Sequence, residues 1–217
     1  SDGDLEYLDS LGRFTRRFLE KLRGFRFEGD VYAMPEGTVF FAGEPVVEVV
    51  APLPQAQLAE TYLLNQITFQ SMAASKGSRV VAAANGREVV DFGLRRTHGR
   101  DAGIKVARAF FIAGASATSN AMAGQLFGIP VAGTMAHSYI TAHGDELAAF
   151  RAFATRYPAT TLLVDTFDTA QGVRNVVQLA DEQGSEFNVR AIRLDSGDLG
   201  ELAAISRSIL DEAGLNG

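Results

Sequence analysis

The sequence contains no cysteine. That excludes a disulfide framework and any thiolate-bound metal, and a cytoplasmic address is the default expectation for such a chain. It also lacks an apolar run near the ~18 residues a membrane span needs, and no basic-then-apolar stretch opens it. Neither a transmembrane helix nor a secretory signal is therefore expected. Positive charge is not in excess: 20 Lys and Arg stand against 26 Asp and Glu, a net charge of −6. A generic nucleic-acid surface needs a basic patch, so no nucleic-acid partner is expected. An anionic ligand would have to be collected by local arginines against the overall field. No methionine opens the chain, and an internal rather than a natural start is expected around Ser1 to Asp4.

What remains is an ordinary globular composition, 47 % hydrophobic and 21 % charged over 217 residues. That is core enough for one large domain or two small ones. Leu8, Leu11, Phe14, Phe18 and Leu22 recur at helical spacing, with a break near Gly12. From Phe25 to Pro52 the pattern turns to short β-type runs such as Val46 to Val50, punctuated by Gly29, Pro35, Gly37, Gly43 and Pro45. These suit a small antiparallel sheet. Pro54 then precedes a helical stretch over about 55–75.

The second half alternates β-branched runs with amphipathic helices. Strands are expected at 87–92, 116–118, 129–133, 160–165 and 189–194, and helices at 101–115, 119–127, 145–157, 169–183 and 198–213. The helix over 145–157 shows the logic: Leu147, Phe150, Phe153, Ala154 and Tyr157 form its stripe, Asp145 can cap it and Pro158 stops it. Such alternation predicts parallel βαβ units. A closed (β/α) barrel wants about eight strands and roughly 250 residues. An open doubly wound sheet is possible on count alone, but the irregular spacing suits a barrel better. The expected fold class is thus α/β: an N-terminal α+β domain over 1–86 with a small antiparallel sheet, then an incomplete irregular (β/α) barrel over 87–217.

In parallel α/β folds, ligands meet the loops after the strands. After the expected strands come Arg95 and Arg96; Thr118, Ser119 and Asn120; Gly133, Thr134 and His137; Asp165, Thr166 and Asp168; and Arg193 and Asp195. Arginine forks suit carboxylate or phosphate, and carboxylates can hold Mg²⁺ or its waters. Each group also has a plain structural reading. Thr118 to Asn120, Asp168 and Asp195-Ser196 sit where a following helix wants an N-cap, and Asp168 has Gln171 in capping-box register. Arg95 and Arg96 could be solvated surface charges, and His137 a hydrogen-bonded, half-buried ring. His98 and His143 are assigned no role. Asp91-Phe92-Gly93 imitates a kinase metal-binding string without the motifs that accompany it, and is set aside. What favours function is that every strand end carries polar residues of one compatible chemistry.

Five strings at these strand ends resemble the nicotinate phosphoribosyltransferase family: Asp91-Phe92-Gly93-Leu94-Arg95-Arg96, Thr118-Ser119-Asn120, Gly133-Thr134-Met135-Ala136-His137-Ser138, Val164-Asp165-Thr166-Phe167-Asp168-Thr169 and Arg193-Leu194-Asp195-Ser196-Gly197-Asp198. The resemblance runs back through Gly29-Asp30-Val31-Tyr32-Ala33 and Pro35-Glu36-Gly37-Thr38. It implies a type II phosphoribosyltransferase fold and transfer of phosphoribosyl from phosphoribosyl pyrophosphate to nicotinate, with Mg²⁺ and ATP. By this resemblance Arg95 contacts the substrate or the phosphoribosyl group, Thr118 and Ser119 line the substrate, and Thr134 touches nicotinate. Arg193 meets the nicotinate ring or carboxylate, Asp165 and Asp195 face ribose, Mg²⁺ or phosphates, and His137 is phosphorylated by ATP. The metal ligands stay unassigned. Family members extend further at both ends, with an N-terminal tyrosine that reaches an active site, often a neighbouring subunit's, and later strands whose Gly-rich loops bind the 5-phosphate. The resemblance therefore implies a homodimer for the complete enzyme, and little or no turnover by these 217 residues alone.

Other readings are a nicotinamide- or quinolinate-using relative and a non-catalytic barrel fragment. A nicotinamide enzyme is expected to hold Asp where Ser119 stands, to accept the amide N–H₂, so Ser119 favours the acid. In the complete enzyme, Ser119→Asp should set two like charges against each other, an opposition of about 1–4 kcal/mol in a partly dry pocket. The ratio of kcat/KM for nicotinate over nicotinamide should fall by about an order of magnitude or more. An unchanged ratio with the fold intact would reduce Ser119 to a helix cap.

Overall fold

The computed structural model describes residues 1–216. These residues form two compact units, one over Ser1–Val131 and one from Ala132 onward. The division falls well beyond the change of sequence pattern at residue 86, because the long helix before that point packs against the first helix after it.

In the first unit, α1 (Asp2–Ser10) and α2 (Arg16–Arg23) are separated at Gly12, whose φ of 62° lies in the left-handed region. The Thr15 hydroxyl caps α2 by accepting from the Phe18 N–H. β1 (Asp30–Ala33) and β2 (Val47–Val50) form the expected antiparallel pair, in register from Asp30↔Val50 to Ala33↔Val47. Then α3 runs over Leu53–Ala83, well past the expected end near 75. Gly77 does not break it. A Cβ there would lie 3.2 Å from that of Ala113 and 3.3 Å from the Phe110 ring, so bare backbone lets the next helix approach, and this packing outweighs the weak helix propensity of glycine. That next helix, α4 (Arg100–Ile112), follows β3 (Val90–Asp91) and a 3₁₀ turn at Leu94–Arg96. β4 (Ala117–Thr118) pairs with β3 in parallel, Val90↔Ala117 and Asp91↔Thr118, and leads into α5 (Ala121–Phe127). The strand expected over 129–133 reduces to one parallel bridge, Thr118↔Val131. Pro130 has no N–H to extend a ladder; its carbonyl instead accepts from the Thr118 N–H at 3.0 Å.

The second unit opens with a helix that the sequence pattern does not announce, α6 (His137–His143). It is short and its N-cap, Ala136, offers no side-chain acceptor, so neither usual signal is present. α7 (Glu146–Arg156) is capped as expected, the Asp145 carboxylate accepting from the Ala148 N–H at 2.8 Å. β5 (Thr161–Leu163) and β6 (Ala191–Arg193) pair in parallel across α8 (Thr169–Gln183), and α9 (Leu199–Glu212) follows. Each strand is shorter than expected because apolar runs continue beyond the paired residues. The core gathers Met135, Ile140, Phe150, Leu162, Leu163 and Val173, each at most 3 % exposed. Of the expected α7 stripe, Phe150 is fully buried and Phe153 packs against the core, while Tyr157 lies outside, its ring 4.9 Å from that of Phe153. None of the described helices is long and apolar enough to cross a membrane.

The approach of α8 to β5 turns on Gly172. A Cβ on that residue would run into the backbone carbonyl of Val164, which cannot rotate aside. Gly172→Ala should therefore push the helix off the strand and cost about 1–3 kcal/mol by overpacking. Urea unfolding of the variant tests this: an unchanged midpoint would mean that α8 shifts freely.

Candidate active site

Two clusters of polar side chains sit at strand ends, one in each unit. In the first, Asp91 closes β3 and is 6 % exposed. Its Oδ1 accepts from the Gly93 N–H at 2.8 Å and its Oδ2 from the Thr118 hydroxyl at 2.8 Å. The same Thr118 oxygen accepts from the Asn120 N–H at 3.0 Å, and the Asp91 carbonyl from the Ser119 N–H at 2.7 Å. One carboxylate thus ties the 3₁₀ turn that carries Arg95 and Arg96 to the turn that carries Ser119. Thr118 is fully buried, with its hydroxyl given to Asp91, whereas Ser119 is half-buried and Arg95 and Arg96 are exposed. The helix cap here is Asn120, whose Oδ1 accepts from the Ala123 N–H.

The second cluster brings together Thr134, His137, Asp165, Asp195 and Arg193. Arg193 ends β6; its Nη1 donates to the Thr134 hydroxyl and its Nη2 meets Asp195 Oδ1 at 2.7 Å. His137, first residue of α6, has Nε2 at 3.3 Å from Asp195 Oδ2 and Nδ1 at 3.1 Å from the Thr166 hydroxyl. Asp165, 8 % exposed, accepts at Oδ2 from the Asp195 N–H and from the Ser196 hydroxyl, each at 2.7 Å. Its Oδ1 is buried without a partner. Asp195 is thereby clamped at its backbone by Asp165 and at its side chain by Arg193. The Arg193 hydrogen bond holds the Asp195 carboxyl below its ordinary range; burial opposes this, and the charge of Arg193 and the His137 ring add to it.

The capping alternatives sort cleanly. Asp168 does cap α8, accepting from the Gln171 N–H at 2.8 Å, but the Gln171 side chain donates to Asn175 instead of closing a capping box. Asp195 and Ser196 do not cap α9. Asp198 does, accepting from the N–H groups of Gly200 and Glu201 at 3.0 Å each. Asp195 is therefore free for the ring and the guanidinium.

A cavity of about 1530 Å³ lies elsewhere, along α3 and β2, lined by Phe40, Val47, Leu64, Ile67 and Met72 among others. None of the clustered residues lines it. Lys76, Arg79 and Glu60 also line it, but its walls are mainly apolar, whereas the polar clusters sit at the strand ends where parallel α/β folds meet their ligands.

Two residues of the clusters, Asp91 and Thr166, and outside them Glu146 carry no role in the sequence reading beyond their place in a string or a helix. The first two were visible as polar residues at strand ends. Glu146 gave no signal, since an acidic residue in the first turn of a helix is usual. Yet it is 7 % exposed, accepting at Oε2 from Asn175 Nδ2 at 2.9 Å, with Oε1 buried and unpartnered. Burial pushes its carboxyl pKa up; the Asn175 bond opposes, and the charges of Asp165, Asp168 and Asp145 push it further.

Arginine, hydroxyls and carboxylates thus surround one histidine at the carboxyl ends of parallel strands, the place where α/β folds meet their ligands. The chain belongs to the nicotinate phosphoribosyltransferase family. Residues 1–68 match the family's N-terminal domain and residues 87–212 the nicotinate phosphoribosyltransferase family itself. A nicotinate phosphoribosyltransferase of Mycobacterium tuberculosis is 59 % identical over 212 residues, covering 98 % of this chain and 46 % of its own length. One of Bacillus subtilis is 45 % identical over 216 residues, covering 99 % and 44 %. The crystal structure of human nicotinic acid phosphoribosyltransferase superposes with a TM-score of 0.88 at 30 % identity, covering 99 % of this chain and 53 % of that one. The chain thus spans about half the length of the curated relatives it matches.

The raised pKa of Glu146 has a defined sign in stability. A carboxyl that binds its proton more tightly in the folded state contributes most below its unfolded pKa, about 4.3, and loses that contribution as pH rises through the folded value. Glu146→Gln keeps an acceptor for Asn175 and removes the buried charge. The variant should gain stability relative to wild type as pH rises above about 4. Parallel urea titrations from below to above that pH check it, and a difference independent of pH would show that Glu146 binds its proton equally in both states.

Proposed function

We propose that the complete protein transfers phosphoribosyl from phosphoribosyl pyrophosphate to nicotinate, giving nicotinate mononucleotide and pyrophosphate, with ATP hydrolysis coupled through His137. The observation that carries the reading is the Arg193 guanidinium set beside the Thr134 hydroxyl, within one cluster with His137 and Asp195. Family membership supports it, as do the relatives of M. tuberculosis and B. subtilis that bear the name nicotinate phosphoribosyltransferase. The parallel strands would belong to an irregular barrel completed by chain outside these residues, in a homodimeric cytoplasmic enzyme.

In the reaction the pyridine nitrogen attacks C1 of the ribose while the C1–O bond breaks, its electron pair leaving with pyrophosphate through an oxocarbenium-like state. The protein must align the reactants, place carboxylates near the developing positive charge and neutralise the leaving group. Arg193 and Thr134 orient nicotinate; a charge-assisted bond from the guanidinium to its carboxylate contributes on the order of 1.5–3 kcal/mol. Arg95 meets the phosphoribosyl side, Ser119 lines the pocket for the acid, and Thr118 holds that turn through Asp91. Asp165 and Asp195 supply the negative potential facing the ribose. Among the described residues no group of three or more His, Asp or Glu is arranged to hold a metal ion, and the oxygens of Asp195 are already engaged. These residues do not fit a resident Mg²⁺ cage. Mg²⁺ is accordingly assigned to the substrates, carried by phosphoribosyl pyrophosphate and ATP, which suits an ion that keeps waters and phosphate oxygens as ligands.

His137 is the discriminating residue. A neutral imidazole is nucleophilic near pH 7 and its phosphoramidate is labile, as an ATP-coupled intermediate requires. His137→Ala in the complete enzyme should abolish acid-labile label from γ-labelled ATP and the stimulation of product formation by ATP. Basal transfer without ATP should survive, since alignment rests on Arg95, Thr134 and Arg193. Label and stimulation retained by the variant would remove His137 from the reaction.

A further inference from the structure

We propose that Thr166 is a positioning residue for His137: its hydroxyl donates to Nδ1 and holds the neutral ring in the tautomer that carries its proton on Nε2. The inference rests, for its functional consequence, on His137 being the phosphoryl acceptor; for the tautomer it rests on geometry alone.

Both ring nitrogens have a partner, and the partners are not equivalent. Nε2 lies 3.3 Å from Asp195 Oδ2. An ionised carboxylate can only accept, and Asp195 is held in that form by the Arg193 guanidinium 2.7 Å from its other oxygen. Nε2 must therefore be the nitrogen that carries hydrogen. A neutral imidazole has a single N–H, so Nδ1 bears the lone pair and requires a donor. The group facing it, at 3.1 Å, is the Thr166 hydroxyl, which donates or accepts according to its rotation. Thr166 follows directly on Asp165, just past the end of β5, and Asp165 is anchored to the Asp195 backbone. The partners of both ring nitrogens are thus tied to one pair of strand ends, and the ring is gripped from two sides although its side chain is 42 % exposed. The grip does two things: it stops the ring from flipping, and it keeps the lone pair on one defined nitrogen.

A purely structural threonine would leave the ring's proton placement unchanged on removal of its hydroxyl, so the proton placement is what must be read. The test uses the complete protein labelled with ¹⁵N in histidine alone, at a pH where the ring is neutral, with the His137 signals identified by their loss in His137→Gln. Wild type should show a protonated, pyrrole-type Nε2 and a hydrogen-bonded, pyridine-type Nδ1. In Thr166→Val, of nearly the same shape, Nδ1 should lose its hydrogen-bond shift and the two tautomers should begin to mix. Thr166→Ser should restore the shift and the single tautomer. A pyrrole-type Nδ1 in wild type, or a spectrum unmoved by Thr166→Val, overturns the proposal, and the wild-type spectrum decides even should the valine variant fail to fold. The expected spectra with no ATP-derived label on wild-type His137 would instead defeat the phosphoryl-acceptor reading and leave the tautomer assignment standing.

Discussion

Leu163 stands opposite Arg193 in the β5–β6 ladder, and the Val164 N–H donates to the Arg193 carbonyl at 3.3 Å. Side chains alternate along a strand, so a slip of one residue would exchange Ile192, which packs against the core, with Arg193, which reaches Thr134 and Asp195. The register is held from the apolar side, where Leu162 and Leu163 are fully buried, and by backbone bonds at both ends of the ladder. Every polar contact of the second cluster depends on it. Asp195 and Ser196 come within reach of Asp165 only because the two strands end level, and the His137 ring is in turn placed by Asp195 and Thr166.

The two clusters use the same device. A buried carboxylate at the end of one strand takes a backbone N–H and a hydroxyl, and so ties down a neighbouring turn. Asp91 takes the Gly93 N–H and the Thr118 hydroxyl; Asp165 takes the Asp195 N–H and the Ser196 hydroxyl. Charge-assisted bonds of this kind are stronger than neutral ones and fix direction, so turns with few apolar contacts become rigid without burying more hydrophobic surface. In the first cluster the turn held in this way carries the exposed cations Arg95 and Arg96. In a chain of net charge −6, cations placed next to strand ends are worth keeping for anionic ligands.

Glu146 stands apart from that scheme. Its Oε2 has one amide partner and its Oε1 none, and its burial next to the charges of Asp165 and Asp168 raises rather than lowers its proton affinity. Within the second unit Asp195 is held anionic by an arginine, whereas Glu146 is pushed towards the neutral form by its surroundings. The difference arises wholly from neighbours, since the two side chains have nearly the same intrinsic acidity.

The sequence by itself determined the kind and order of most elements, because period and punctuation are local properties. The break at Gly12, the antiparallel pair around residues 30–50, the caps Asp145 and Asp168 and the alternation of strand and helix after residue 86 all follow from spacing and residue type. It also brought the polar strand ends into view, and with them Arg95, Ser119, His137, Asp165 and Arg193. Tertiary structure alone decided what those residues do to one another. The reach of α3 beyond Gly77 depends on a neighbouring helix, and the shrinking of the 129–133 run to one bridge depends on a missing N–H meeting a partner strand. Thr118 turned inward to Asp91, Asp198 rather than Asp195 took the cap of α9, and Thr166 came to face a ring nitrogen from 29 residues away in sequence. Each of these is a pairing between distant residues, and a hydrogen bond has a direction and a length that only the packed chain can supply.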